Sequence, residues 1–262
     1  MGMDLYAGTF TRYYARNWKT RLQQWAEENQ VEFQTITPDS HEDEEESPSP
    51  EEIQTAVEKW RDHLLEAIRA QLKTEVISWR EDNTSSYYTD KPDWIAFEAL
   101  LLYLACKKYG EPLPEKIGKG MDFEDFEISK RTYADPEFQW SLVTGAICWL
   151  PIDVYFTFEG TMPDGNEGHI STTACLLKEL EKINAFEWNA DEQTIKSWSE
   201  TEGYNGESRQ VKPVDLPGGL QMYATSNDSQ WNTESLAKYA YSIFYQAAKF
   251  GSENRVPVLM DF

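Results

Sequence analysis

The sequence predicts a helix-rich α+β fold, one domain over residues 1–262 with a small, mainly antiparallel sheet. Three observations lead there. Both ends of the chain, Met3–Phe10 and Val256–Phe262, read as strands, and pairing Met3–Thr9 with Val256–Asp261 would tie the chain into one unit. Between them, several segments repeat apolar residues at the three- and four-residue steps of a buried helix face. Ten Trp, fourteen Tyr and twelve Phe are too many for a disordered acidic chain, so a core is buried.

Met3–Phe10 opens the chain as a strand, and Thr11–Glu28 follows as a helix with Tyr14, Trp18, Leu22 and Trp25 as its buried stripe. Val31–Thr37 is a further strand-like piece. It leads into Asp39–Glu52, where eight acids stand without a Lys or Arg, so residues 38–49 read as an acidic surface loop. Ser49-Pro50-Glu51-Glu52 then marks a helix start: Ser as cap, Pro at the first helical position, Glu three residues after the cap. Ile53, Val57, Trp60, Leu64, Ile68 and Leu72 form its inner face, and the pattern can run on to Val76 and Trp79. Asp82–Asp90 reads as a loop.

Pro92 starts another helix with Trp94, Phe97, Leu101 and Leu104 inward. Lys107 and Lys108 suit its C-terminal dipole, and Gly110 and Pro112 stop it. Residues 111–140 read as irregular, with an acidic-aromatic patch at Asp122–Glu127. Trp140–Leu150 is apolar enough for a buried strand or a short helix, and periodicity leaves both open. Val154–Phe158 alternates like a strand, and Pro163-Asp164-Gly165 is a turn. Helices are expected at Thr172–Ile183 and at Ala190–Glu200, the second capped by Asn189. Glu202–Gly219 reads as a loop. The last helix, Thr233–Phe250, buries Leu236, Ala240, Ile243, Ala247 and Phe250 and stops at Gly251.

Charge excludes more than it identifies. The chain has 46 Asp and Glu against 24 Lys and Arg, a net charge of −22, which argues against nucleic acid or an anionic membrane as partner. The acidity is not a tail effect. Without the eight acids of Asp39–Glu52 the charge is −14, and residues 1–131 and 132–262 carry −11 each (16 cations and 27 anions, then 8 and 19). No window is long and apolar enough to span a membrane, and no basic-then-apolar signal follows Met1, so a cytoplasmic location is expected.

Motifs for phosphate cradling, nucleophilic hydrolysis and metal-dependent hydrolysis are absent. Cys106, Cys148 and Cys175 sit in apolar contexts and read as reduced core thiols. His41, His63 and His169 are too dispersed for a metal site, and Asp164–Gly168 fails the calcium-loop template at its glycine and its bidentate Glu. No cofactor, metal or catalytic residue is assigned. Glu200 and Glu202, beside Tyr204, and the Asp122, Glu124, Asp125 cluster are the paired carboxylates from which a glycosidase-like site could be built. The least ordinary segment is the opening. Arg12, Arg16 and Lys19 form one stripe of a first helix that carries +3 over residues 1–26, with Tyr6 and Tyr13 beside it. Either these cations pair with the protein's own carboxylates, or they frame an anion or partner site.

The Met3-Asp-Leu-Tyr-Ala-Gly-Thr-Phe-Thr-Arg-Tyr-Tyr opening and the Asn254-Arg-Val-Pro-Val-Leu ending resemble a group of uncharacterised bacterial proteins. Acidic bacterial proteins of this size include immunity proteins of toxin systems. The resemblance implies a protein that works by binding, as an immunity-type inhibitor of a basic toxin or enzyme, rather than an enzyme. A carboxylate- and aromatic-based carbohydrate or small-molecule binder or hydrolase is the alternative, and an accessory protein a further one. The expected binding residues are Tyr6, Arg12, Tyr13, Arg16, Lys19, Glu200, Glu202 and Tyr204, and the expected partner is a basic protein.

Overall fold

A computed structural model describes residues 2–32, 48–204, 211–215, 221–225 and 229–262. The expected strand Val31–Thr37 and the acidic loop 38–49 lie mostly outside these residues. Strand β1 (Asp4–Ala7) opens the chain as expected. The long first helix does not form. It is two helices, α1 (Phe10–Tyr14) and α2 (Arg21–Glu28), separated by a turn in which Arg16 takes a left-handed φ of 52°. Each has its own start signal: Thr9 accepts from the Arg12 amide, and Thr20 with Gln23 makes a full capping box. The expected stripe therefore breaks, leaving Leu22 at 56% exposure and Trp25 at 47%.

The marked helix α3 (Pro50–Leu72) forms with the Ser49–Glu52 capping box in place. It ends at Lys73 in the left-handed conformation, short of Val76 and Trp79. Those two are buried on the returning segment, where Arg69 donates to the Val76 carbonyl and Arg61 to that of Trp79. The expected loop Asp82–Asp90 contains strand β2 (Tyr88–Asp90). Helix α4 (Trp94–Tyr109) ends at Gly110 as predicted but is buried on nearly every side, so its periodicity shows only part of its packing.

The stretch expected to be irregular holds strand β3 (Lys116–Gly118), a 3₁₀ turn at Phe123–Asp125 and helix α5 (Glu127–Ala134). Ala146–Leu150 is strand β4. Strand β5 is Phe158–Thr161 and strand β6 Glu167–Thr172. Of the expected strand Val154–Phe158 only Phe158 is in a ladder. The Val154 and Phe156 carbonyls accept from the hydroxyls of Thr172 and Ser171 instead.

Helices α6 (Thr173–Phe186) and α7 (Glu192–Thr201) follow. The cap of α7 is Asp191, whereas Asn189 has a φ of 46° and donates its amide to the Asn184 carbonyl. Strand β7 (Val211–Asp215), inside the expected loop 202–219, pairs with β8 (Gln221–Thr225). Strand β9 (Gln230–Asn232) pairs with β3. Helix α8 (Thr233–Asn254) runs through Gly251 rather than stopping there. A Cβ at Gly251 would come within 2.8 Å of Val258 Cγ2 and 3.0 Å of the Val256 carbonyl, so this glycine serves close packing. Strand β10 (Val258–Asp261) closes the chain.

The α+β class is thus as expected, and its elements gather into two compact units. One comprises Asp4–Lys91, Ala146–Leu176 and Ala247–Phe262. It holds a six-stranded sheet in the order β2-β1-β10-β4-β6-β5, antiparallel except for the parallel β4–β6 pair. The terminal strands pair from Asp4 opposite Asp261 to Ala7 opposite Val258. Tyr6, Phe10, Leu65, Trp79, Cys148 and Ile170 are in its core. The other unit, Met1–Met3, Pro92–Gly145 and Leu177–Gln246, is mainly helical, with α4 buried in it. No helix among the described residues is long and apolar enough to cross a membrane.

Candidate functional site

Glu81 anchors the wall of the most feature-rich cleft. Its buried carboxylate accepts from the Thr11 amide (2.9 Å), the Thr11 hydroxyl (3.0 Å) and the Trp79 indole (2.7 Å). Burial pushes this carboxyl above its ordinary range, and the three donors pull against that. Together they fix the first turn of α1. Thr9 adds a second tie by donating its hydroxyl to the Asp82 carbonyl. The Asp82 carboxyl is held down at about 2: burial opposes its ionisation, and donors from Ser85 and Thr84, with Arg80 beside it, outweigh burial.

Arg12 joins two loops across this wall. Its Nε donates to the Asn17 carbonyl at 2.6 Å, its Nη1 donates to the Ser85 carbonyl, and its guanidinium lies 4.4 Å from the Tyr87 ring centre. At Gly8 the chain has no room for a side chain, because a Cβ would meet Tyr87 Cβ at 2.9 Å and the Tyr6 ring. On this frame sits a ring cluster. Tyr6 is 5.3 Å from Tyr13 and 5.0 Å from Trp18, Trp18 stacks on Tyr13 at 5.7 Å and 19°, and Tyr14 meets Tyr13 edge-on at 5.1 Å and 85°.

Carboxylates face these rings. The Tyr13 hydroxyl donates to Asp261 near the end of β10. Asp164 lies in the turn between β5 and β6, where Gly165 takes a φ of 88°. It accepts from the Asn166 amide and side chain at 3.0 and 2.9 Å. Burial, then Asp261, raises the Tyr13 phenol, and burial, then Asp164, raises that of Tyr14. Both stay protonated at neutral pH. They offer hydroxyls and π faces, and neither is a base.

The cleft has two lobes. One, of ≈ 520 Å³, is lined by Tyr13, Tyr14, Arg16, Trp18, Thr20, Gln23, Asp164 and Asp261. The other, of ≈ 370 Å³, shares both tyrosines and both aspartates and continues along Ile147, Met162, Asn166, Glu167 and Phe262. Asp164, Glu167 and Asp261 stand against the single cation Arg16, a local charge of −2. The lining combines aromatic faces, phenol hydroxyls and carboxylates in an open, net-acidic hollow. The carboxyls that burial raises, Glu81, Asp90, Glu98 and Glu179, lie outside this lining, and each accepts from a backbone amide.

The expected binding residues separate. Tyr13 and Arg16 line the cleft, Tyr6 is fully buried behind it, and Arg12 holds its wall. The basic stripe does not exist, because Arg16 breaks the helix that would have carried it. Lys19 pairs with Glu27 at 2.5 Å and Arg21 with Glu28 at 3.7 Å. Glu200, Glu202 and Tyr204 belong to the helical unit. There Glu202 accepts from Ser235, Tyr204 packs edge-on to Trp231 and Tyr239, and Glu200 is exposed. In the acidic-aromatic patch, Phe123 is a core residue whose amide donates to Glu98. All three cysteines are free thiols, and the described residues hold no cluster suited to a metal ion.

Sequence reasoning missed Trp18, Tyr14, Asp164 and Asp261 as site residues. In the sequence the first two fall on the apolar stripe of a helix, Asp164 in a turn and Asp261 in a strand. The Thr20–Gln23 cap, which ends the long-helix reading and frees Trp18, was legible as a start signal. Comparison with protein-family models, curated proteins and solved structures found no match to this chain.

Proposed function

We propose that this is an acidic, cytoplasmic bacterial protein that acts by binding a basic protein, as an immunity-type inhibitor does. One observation carries the reading: in a −22 chain, three of the four cations of the basic first segment are engaged by the protein's own groups, and the fourth, Arg16, lines an acidic cleft. Arg12 serves loop carbonyls and Tyr87, while Lys19 and Arg21 face glutamates. A strongly acidic chain favours approach by cations, and such steering speeds association with a basic partner.

The test is capture at low salt from the source cell, followed by rate measurements with the purified partner. The expected result is a stoichiometric complex with a basic protein whose association slows by about tenfold or more when salt shortens the Debye length from ~30 to ~8 Å. Failure to capture a basic protein, or an association rate indifferent to salt, overturns the reading.

A further inference from the structure

We propose that the cleft seats a guanidinium head, presented by an arginine of the partner. The inference rests on the basic-partner reading and names the group that the partner delivers. Three features select the ligand. The lining is net negative, with Asp164, Glu167 and Asp261 against Arg16, so an anion would meet three carboxylates. An apolar occupant would strip water from those carboxylates without replacing their hydrogen bonds. The rings then decide where a cation goes. Tyr13 and Trp18 are 5.7 Å apart, too close to admit a planar group between them at about 3.5 Å from each. Trp18 stacks on one face of Tyr13 and Phe10 on one face of Tyr14, which leaves a cation the corner where the two rings meet edge-on and border the cleft.

Asp164 and Asp261 reach this corner from different strands, Asp164 from the β5–β6 turn and Asp261 from β10. Both line both lobes. A planar fork of five donors can address two such carboxylates while its plane rests on a ring, whereas an ammonium offers a single point of charge. The same unit already uses this chemistry once, where Arg12 lies over Tyr87 and donates to loop carbonyls. Arg16, on the rim in a left-handed conformation, is a resident cation that a ligand must oppose.

The experiment titrates the full chain with N-acetyl-arginine methylamide, the lysine analogue, acetate and inorganic phosphate, following ligand binding by NMR. The arginine compound is expected to bind saturably and more tightly than the lysine compound. Asp164→Asn should weaken it by about threefold, the scale of a partly exposed ion pair. Arg16→Asn, which tolerates the left-handed backbone, should strengthen it by a similar factor. Opposite signs in the two variants cannot come from general loosening of the fold. No saturable binding of the arginine compound, equal binding to both variants, or phosphate binding that Arg16→Asn abolishes each overturns the proposal. None of these outcomes bears on the salt dependence of the protein complex. Conversely, a salt-indifferent partner would remove the basic-partner reading while leaving guanidinium binding measurable.

Discussion

Two of the aromatic clusters in the protein are finished differently. In the helical unit Tyr103 stacks on Trp188 at 4.2 Å, and Trp188 meets Trp198 and Tyr241 edge-on. That cluster brings its own cations. Lys107 lies 5.4 Å from the Tyr103 ring, and Lys238 lies 6.0 and 5.7 Å from Trp188 and Trp198. Both lysines are then neutralised, by Glu187 and Glu234 respectively. In the sheet unit Tyr13, Tyr14 and Trp18 face Asp164 and Asp261, and among the described residues no cation lies over those three rings. The same ingredients close on themselves in one place and stay open in the other. In the sheet unit the one cation of the lining, Arg16, lies over none of the three rings, and their carboxylates are left to face the cleft.

Each unit also contains a buried glutamate that accepts from backbone amides, and the largest expected effects test these supports. Glu81→Ala leaves the Thr11 amide, Thr11 hydroxyl and Trp79 indole without their acceptor, so denaturant unfolding should show a loss of about 3 kcal/mol or more. If the open cluster were self-supporting, the loss would stay under about 1 kcal/mol.

In the helical unit Glu179 accepts from the Ser141 amide and hydroxyl and the Leu142 amide. Burial pushes its carboxyl up to about 7 against those donors. The folded form therefore keeps a proton that the unfolded chain releases near its ordinary value of 4.5. Stability should be greatest below that value and fall by up to about 3 kcal/mol as pH rises towards 7, with little further change above it. Glu179→Gln should flatten this portion of the stability–pH curve measured by urea titration. An unchanged slope would show that Glu179 is ionised throughout.

Arg12→Lys comes next. One ammonium cannot serve the Asn17 and Ser85 carbonyls and cover Tyr87 as the guanidinium does, so a loss of about 2 kcal/mol is expected, together with weaker arginine binding. A variant as stable as the parent would remove Arg12 as the clasp of the cleft wall. The smallest effects distinguish the clusters most sharply. Tyr13→Phe discards a hydrogen bond to Asp261 and should cost about 1 kcal/mol, whereas Tyr103→Phe discards a buried hydroxyl that has no partner and should be neutral or stabilising. Thermal unfolding of both variants checks the contrast, and equal shifts would erase it.

What could be read beforehand follows the range of the interactions involved. The α3 start at Ser49–Glu52 and the α4 stop at Gly110 depend on residues a few positions apart, and both are where the pattern places them. The pairing of the two terminal strands was also legible, because both ends read as strands and chain ends often lie close together. The break at Arg16 was not. No Gly or Pro marks it, and Tyr14, Trp18, Leu22 and Trp25 keep helical spacing across a gap that the backbone does not bridge as helix. Short polar α5 left no apolar rhythm to detect. The cleft itself was hidden because its charges come from Asp164 and Asp261, and only the sheet brings them to residues 13–18.

The Tyr13–Asp261 hydrogen bond spans 248 positions of the sequence. Its consequence concerns timing. Helices α1 and α3 can form from local signals, but the cleft lacks one carboxylate until β10 pairs with β1, and closing so long a loop is slow relative to helix formation. The cleft is therefore completed by one of the longest-range contacts of the fold. A chain in which β10 has not yet docked carries the aromatic wall of Tyr13, Tyr14 and Trp18 without the Asp261 carboxylate that faces it.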